Sequence, residues 1–202
     1  MKTIIIASKN KHKISEIKHM LSNLAFTTKS LLDFPDYGSP EETGATFLEN
    51  AHIKARALTD YLQNTNSERY ILADDSGLSC KGLRGEPGVH SARFAGPNAR
   101  DNENNQKLID VFNSNPEYNR EAHYTCAMVV VLPDNSKKEI EEHCHGKITT
   151  TPKGSHGFGY DPYFFLEEHQ QTMAELSPNE KNHISHRGKA LRSLLEELRK
   201  HR

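Results

Sequence analysis

The chain has 202 residues, with 26 Lys and Arg against 27 Asp and Glu and a formal net charge of -1. That length suits one domain or two closely joined lobes, and the balanced charge, with 7% aromatics and no Trp, excludes a dedicated nucleic-acid binder with its basic excess. An anionic ligand must therefore be met by locally placed cations.

The three cysteines, Cys80, Cys126 and Cys144, are widely spaced and form no CxxC pair. This reads as a reduced, cytoplasmic protein without a disulfide framework. The N-terminal apolar run, Met1 to Ile6, is too short for a signal peptide, and no stretch approaches the length of a membrane span.

Thr3 to Ala7 is apolar and β-branched without alternation, which predicts a buried strand. Ser8 to Lys13 forms a polar, lysine-bearing loop. Ile14, Ile17, Leu21 and Leu24 then recur at helical spacing. Lys11 and Lys13 add positive charge to a helix end that is already positive, which makes sense where an anion binds. The loop is not a P-loop, because GxxxxGK[ST] is missing.

Leu31 to Pro40 reads as an irregular connection, followed by Glu41-Glu42-Thr43-Gly44. Thr46 and Glu49 have the spacing of a capping box, so a helix is expected to start at Thr46. Phe47, Ala51, Leu58 and Leu62 can line its buried side, while Thr46, Asn50 and Lys54 share another face. Gln63 to Arg69 is a polar break.

Tyr70 to Ala73 reads as a buried strand that ends in Asp74-Asp75-Ser76-Gly77. Taken alone, those residues fit a solvated turn. Adjacent carboxylates at a strand end also suit a bound cation, which relieves their repulsion. Lys81 to Pro97 is a long loop carrying Gly82, Gly85, Gly88 and Gly96. Asn102 to Phe112 reads as a helix.

His123 to Leu132 is strongly β-prone, and Glu139 to His145 can return as the second strand of a hairpin. In His143-Cys144-His145 the cysteine points away from the two histidines, so the triplet reads as structural. The second glycine-rich segment, Lys153 to Asp161, places Phe158 where it can stack on a flat ring. Tyr163 to Leu166 reads as another buried strand. Ser177, Pro178 and Glu180 announce a short helix carrying Lys181. A last helix follows Ser185, with Leu191, Leu194, Leu195 and Leu198 as its apolar stripe.

Several segments, taken together and in order, resemble one family. They are Ser8-Lys9-Asn10-Lys11-His12-Lys13; Glu41 to Gly44 with Thr46 to Ala51 and Lys54-Ala55-Arg56; Ala73 to Leu78; Gly85 to Gly96; Gly157-Phe158-Gly159-Tyr160-Asp161-Pro162; and Ser185 to Leu191. The pattern is similar to the Ham1/RdgB family of inosine/xanthosine triphosphate pyrophosphatases, and the likeness covers nearly the whole chain.

The resemblance implies hydrolysis of ITP, dITP and XTP to the monophosphate and pyrophosphate, with Mg2+ as cofactor, in a homodimer. The implied fold is α/β, one two-lobed domain over residues 1–202. A long mixed central sheet joins the lobes, helices flank it, and the active site lies in the cleft between the lobes. Carried over by resemblance, Ser8, Lys9, Asn10, Lys11, His12 and Lys13 form the phosphate loop. Glu41 and Asp75 match the metal-binding acids, and Asp75 also matches the proton acceptor. Lys54 matches a cation near the phosphates. Ser76, Phe158, Gly159, Tyr160, Asp161, Lys181, His186 and Arg187 match substrate contacts, with Phe158 near the base.

Two features depart from the family pattern. Lys9 and His12 stand where small residues are frequent, and Cys144 to Ile148 is shorter than the usual stretch before Phe158.

The chemistry agrees with this reading. A triphosphate repels an attacking water, and a carboxylate-held Mg2+ and lysines offset that charge. Inosine and xanthosine present a 6-oxo group, which a donor accepts and which adenine lacks. Guanine has to be rejected at its 2-amino group, a task we assign to His186, Arg187 and the backbone near Phe158. A Maf-like pyrophosphatase acting on other modified nucleotides and a non-catalytic nucleotide sensor are the competing readings. The acids Glu41, Asp74 and Asp75 argue against a sensor, since binding alone needs cations more than extra carboxylates.

Overall fold

The computed structural model describes residues 2–22, 24–63 and 68–200. A mixed sheet of seven strands runs in the order β2-β1-β3-β4-β5-β6-β7. In chain order the strands are β1 (Lys2–Ile6), β2 (Phe26–Ser30), β3 (Arg69–Cys80), β4 (Glu121–Val131), β5 (Lys137–Ile148), β6 (Phe164–Leu166) and β7 (Gln171–Thr172). The α-helices are α1 (Lys11–Leu21), α2 (Phe47–Tyr61), α3 (Asp101–Ser114), α4 (Pro178–Ile184) and α5 (His186–Lys200). β1 pairs in parallel with β2 and β3, whereas β6 pairs antiparallel with β5 and β7. The predicted α/β class and mixed sheet with flanking helices are therefore found. Most of the predicted polar break falls on 64–67, which lie outside the described residues, as does the side chain of Leu198.

The chain divides into two compact units. The first comprises Met1–Asp75, Cys126–Glu142 and Arg187–Arg202. β1 and the parts of β3 and β4 in this unit carry apolar runs, so alternate residues feed two separate cores. Ile4, Ile6, Leu72, Met128 and Val130 pack with Ile14, Ile17 and Leu21 of α1 and with Leu191 and Leu194 of α5. Ile5, Ile71, Ala73, Val129 and Val131 pack with Ala51, Ala55 and Leu58 of α2. Thus α1 and α5 cover one face and α2 the other.

Local chemistry sets the starts of these helices. Asn10 caps α1, its side chain accepting from the backbone N–H of His12 and Lys13. Thr46 and Glu49 close the expected capping box at α2.

The second unit comprises Ser76–Thr125 and His143–His186. Its core gathers Leu78, Leu108, Phe112, Tyr124, Ile148, Phe164, Met173 and Leu176. The long glycine-rich loop folds back on the end of β3, where the Cys80 N–H donates to Glu86 O at 3.0 Å and Gly85 N–H to Cys80 O at 3.0 Å. β5 runs unbroken to Ile148, so the shortened 144–148 segment is ordinary strand. Cys144 is buried while His145 is exposed, as alternation requires. His123, His143 and His145 approach one another, yet among the described residues no group of three or more His, Cys, Asp or Glu is placed to hold a metal ion.

One expectation is corrected. Asp74, Asp75, Ser76 and Gly77 do not form a turn at the end of a strand; they lie inside β3, which continues to Cys80. Strand geometry persists because both carboxylates find cationic partners without leaving the sheet, and Leu78 and Cys80 re-enter a core beyond them.

Phe112 has no exposed surface and anchors α3 to the core of the second unit. Phe112→Ala is expected to cost about 3–5 kcal/mol, read as a lowered midpoint in urea unfolding. A change below about 1 kcal/mol would show that α3 is not held by this side chain.

Candidate active site

The two adjacent acids of β3 belong to opposite faces of the sheet. Asp74 follows Leu72 in register, on the face covered by α1 and α5. Asp75 follows Ile71 and Ala73, on the face covered by α2. Each carboxylate therefore has its own ion-pair partners, while the Lys54 charge is felt by both.

On the first face, Lys13 Nζ lies 3.1 Å from Asp74 Oδ2 and Arg187 Nη2 lies 3.4 Å from the same oxygen. Arg187 Nη1 also donates to Glu16 of α1. Asp74 is 2% exposed and Arg187 2% exposed, so this is a buried cluster of charge. Burial alone would raise the Asp74 pKa, but Lys13, Arg187 and Lys54 outweigh it and hold the carboxyl well below the usual carboxylate range. Burial likewise disfavours the Arg187 cation, and the Glu16 and Asp74 carboxylates reverse that and push its pKa up. Asp74 Oδ1 is buried without a hydrogen-bond partner among the described residues.

On the second face, Lys54 Nζ donates to Asp75 Oδ1 at 2.8 Å and to the Asp74 backbone oxygen at 3.0 Å. Asn50 Nδ2 donates to Asp75 Oδ2 at 3.2 Å. Asn50 and Lys54 are four apart on α2, so one helix face supplies both groups. Lys54 also lies 3.2 Å from Glu42. Burial lowers the Lys54 pKa, but Asp75, Asp74 and Glu42 more than compensate and raise it.

Asn50 Oδ1 accepts from the Gly44 N–H at 2.8 Å, tying the Glu41–Gly44 connection to α2. A Cβ on Gly44 would meet Asn50 Oδ1 at 2.7 Å, so that close approach needs glycine. Glu41 itself is exposed and, among the described residues, makes no hydrogen bond or ion pair.

The loop before α1 is organised by its own polar groups. Ser8 Oγ accepts from the Asn10 N–H at 3.1 Å, and Lys9 Nζ donates to Tyr37 O at 3.0 Å. Lys11 and His12 are exposed, whereas Lys13 turns to Asp74. Since Lys9 reaches back to Tyr37, its long side chain helps anchor the loop.

A third cluster lies wholly in the second unit. Asp161 Oδ2 accepts from Lys181 Nζ at 2.7 Å and from the Phe158 N–H at 3.0 Å. Asp161 and Lys181 are 3% and 4% exposed, and the ammonium lies 4.8 Å from the centre of the Phe158 ring. Gly157 has a φ of +78, and a Cβ there would come within 2.1 Å of Asp161 Oδ2. Both its left-handed backbone and the carboxylate beside it exclude a side chain.

Gly159 donates to Asp101 Oδ2 at 2.7 Å and accepts from Asn105 Nδ2 at 2.9 Å, so α3 secures the loop. Tyr160 donates through its hydroxyl to Ser91 O at 2.8 Å. His186 is buried and stacks on Tyr124, with ring centroids 4.7 Å apart. Ser76 is half-buried in β3, next to Asp75.

The residues expected to act together thus resolve into defined groups. Lys13, Asp74 and Arg187 form one; Lys54 and Asp75 a second; Phe158, Asp161 and Lys181 a third. His186 and Arg187, neighbours in sequence, engage different partners, and Arg187 is engaged by Glu16 and Asp74. Glu16, Asp101, Asn105 and Tyr124 escaped sequence reasoning, whereas Asn50 was marked by its four-residue spacing to Lys54. The others look like ordinary helix-surface or core-strand residues.

Because the Asp74 pKa is depressed on folding, its contribution to stability is complete above the unfolded value of about 3.9 and is lost as pH falls toward the lower native value. Urea unfolding from pH 7 to pH 3 is expected to show that acid-side loss, with a shallower slope in Asp74→Asn. At pH 7 the variant is expected to be about 3 kcal/mol less stable, since Lys13 and Arg187 lose a buried partner. Equal slopes in the two proteins would refute the assignment.

Comparison with known proteins finds similar chains and similar folds. A dITP/XTP pyrophosphatase of Geobacillus kaustophilus is 46% identical over 197 residues, covering 98% of this chain and 94% of the relative. One from Halalkalibacterium halodurans is 45% identical over 194 residues, covering 96% and 97%. The structure of a HAM1 protein from Coxiella burnetii superposes with a TM-score of 0.87 at 38% identity, covering 99% of this chain and all of that one. That of the Staphylococcus aureus Ham1 protein gives 0.84 at 36%, with the same coverage. A model of the Ham1 family matches residues 4–197, and the chain belongs to that family.

Proposed function

We propose that this protein hydrolyses the non-canonical purine nucleoside triphosphates dITP, ITP and XTP to the monophosphate and pyrophosphate, removing deaminated purines from the nucleotide pool. The observation that carries the reading is Asp75, a carboxylate 6% exposed in the middle of a strand and held by Lys54 and Asn50. A buried carboxylate needs partners whatever its role, and here Lys54 and Asn50 also fix its direction beside the acidic connection Glu41 to Gly44, as a proton acceptor requires. The relatives named dITP/XTP pyrophosphatases support the substrate class.

Carboxylate oxygens are the donors that magnesium takes, and the acids Glu41, Glu42 and Asp75 supply them. The Lys54 ammonium lies 2.8 Å from Asp75 and 3.2 Å from Glu42, so the acidic side chains here already meet a positive charge. No cage of three protein ligands is present among the described residues. Mg2+ does not require one, because it binds through one or two carboxylates and takes its other ligands from substrate phosphates and water. Glu41 and Asp75 would hold it, and when bound it supplies charge neutralisation and polarises the phosphoryl group.

The chain's own residues do the rest. Lys13 and the Ser8–Lys13 loop place positive charge and N–H donors for the phosphates. Lys54 fixes Asp75 and offsets negative charge. Asp75 accepts the proton of the attacking water. Phe158, Lys181 and His186 receive the purine. We place the enzyme in the cytoplasm as a homodimer, in keeping with the family resemblance and with buried, free Cys80, Cys126 and Cys144.

A turnover panel of ITP, dITP, XTP, GTP and ATP, with products identified, tests the reading. Preference for the first three, with release of pyrophosphate, is expected. Chelation of divalent ions should abolish turnover, and added Mg2+ should restore it. Asp75→Asn is expected to keep its fold, by circular dichroism, and to lose roughly 10²–10⁴-fold in kcat. Near-normal turnover in that variant would remove Asp75 from the proton-transfer role.

A further inference from the structure

Tyr124 lies in β4, 6% exposed, and it touches both parts of the cluster that receives the base. Its ring is stacked on the His186 imidazole, with centroids 4.7 Å apart and planes 12° apart. Its hydroxyl donates to Asp161 Oδ1 at 3.2 Å. The other oxygen of that carboxylate accepts from Lys181 and from the backbone of Phe158. Phe164 packs on the tyrosine at 4.6 Å between ring centres, so the ring is braced from the core as well.

Packing alone does not account for this tyrosine. A phenylalanine would fill the same space without burying a hydroxyl, and a buried hydroxyl is costly unless paired. Here it is paired with the one carboxylate that holds both Lys181 and the Phe158 backbone. Burial pushes the phenol pKa well up, and the Asp161 charge adds to that, so the group remains a donor.

We propose that Tyr124 is a positioning residue for purine recognition: its ring sets the plane of His186, and its hydroxyl sets the Asp161 carboxylate that orders Lys181 and Phe158. The inference rests on the pyrophosphatase reading and deepens it. Tyr124 need not contact substrate; it acts through residues that do. Since those residues meet the base and not the phosphorus, its loss should alter binding and base preference more than the chemical step.

Steady-state kinetics of the wild type, Tyr124→Phe and Tyr124→Leu with ITP and GTP, beside thermal unfolding, test this. Tyr124→Phe keeps the stack and loses the hydrogen bond to a charged acceptor. It is expected to raise KM for ITP roughly tenfold, with kcat within about twofold and a narrowed preference for ITP over GTP. Tyr124→Leu also loses the stack and should raise KM further. A merely structural role would lower the folded fraction, reducing apparent kcat with KM unchanged, and that outcome overturns the proposal. So does an unchanged KM and base preference in Tyr124→Phe, whatever the fate of Tyr124→Leu. If the wild type hydrolyses none of ITP, dITP and XTP, the pyrophosphatase reading fails and the role of Tyr124 fails with it.

Discussion

The alternation of side chains along β3 is the constraint on which the candidate active site depends. Two acids adjacent in sequence are sent to opposite faces of a buried strand, and each must be neutralised where it emerges. Asp74 is met by Lys13 and Arg187, and Asp75 by Lys54 with Asn50. The helices that cover the strand are therefore also the elements that deliver the cations. α1 and α5 serve one face and α2 serves the other, and each makes the apolar contacts of its own core.

This division gives the two acids different surroundings. The Asp74 cluster includes Arg187 and Glu16, is largely buried, and binds α1, β3 and α5 together. Its carboxyl is held ionised far below the usual range by its cations. The Asp75 face keeps an acidic connection, Glu41 to Gly44, fastened through Asn50. An acid clamped in this way has a defined direction without being fully neutralised by a guanidinium, which suits a group that must accept a proton.

The cluster around Asp161 is organised on the same principle in the second unit. A single carboxylate, Asp161, holds an ammonium, a loop N–H and a phenol hydroxyl. Gly157 is required because the carboxylate oxygen occupies the space a Cβ would take. Phe158 is thereby held in an ordered loop, through its N–H to Asp161 and the Lys181 ammonium beside its ring.

Much was legible in the sequence alone. Apolar runs and helical periodicity marked β1, α1, β4 and α5, because burial imposes those patterns directly. Thr46 with Glu49 marked the start of α2, since a capping box is a local interaction. The order of motifs identified the family. What the sequence could not determine was set by long-range pairing. The turn chemistry of Asp74-Asp75-Ser76-Gly77 was overruled because cations distant in sequence made an extended, buried path tolerable. The different partners of His186 and Arg187, and the placing of Tyr124 between His186 and Asp161, arise only when strands and helices pack. A side chain's type belongs to the sequence; its partner depends on which element comes to lie beside it.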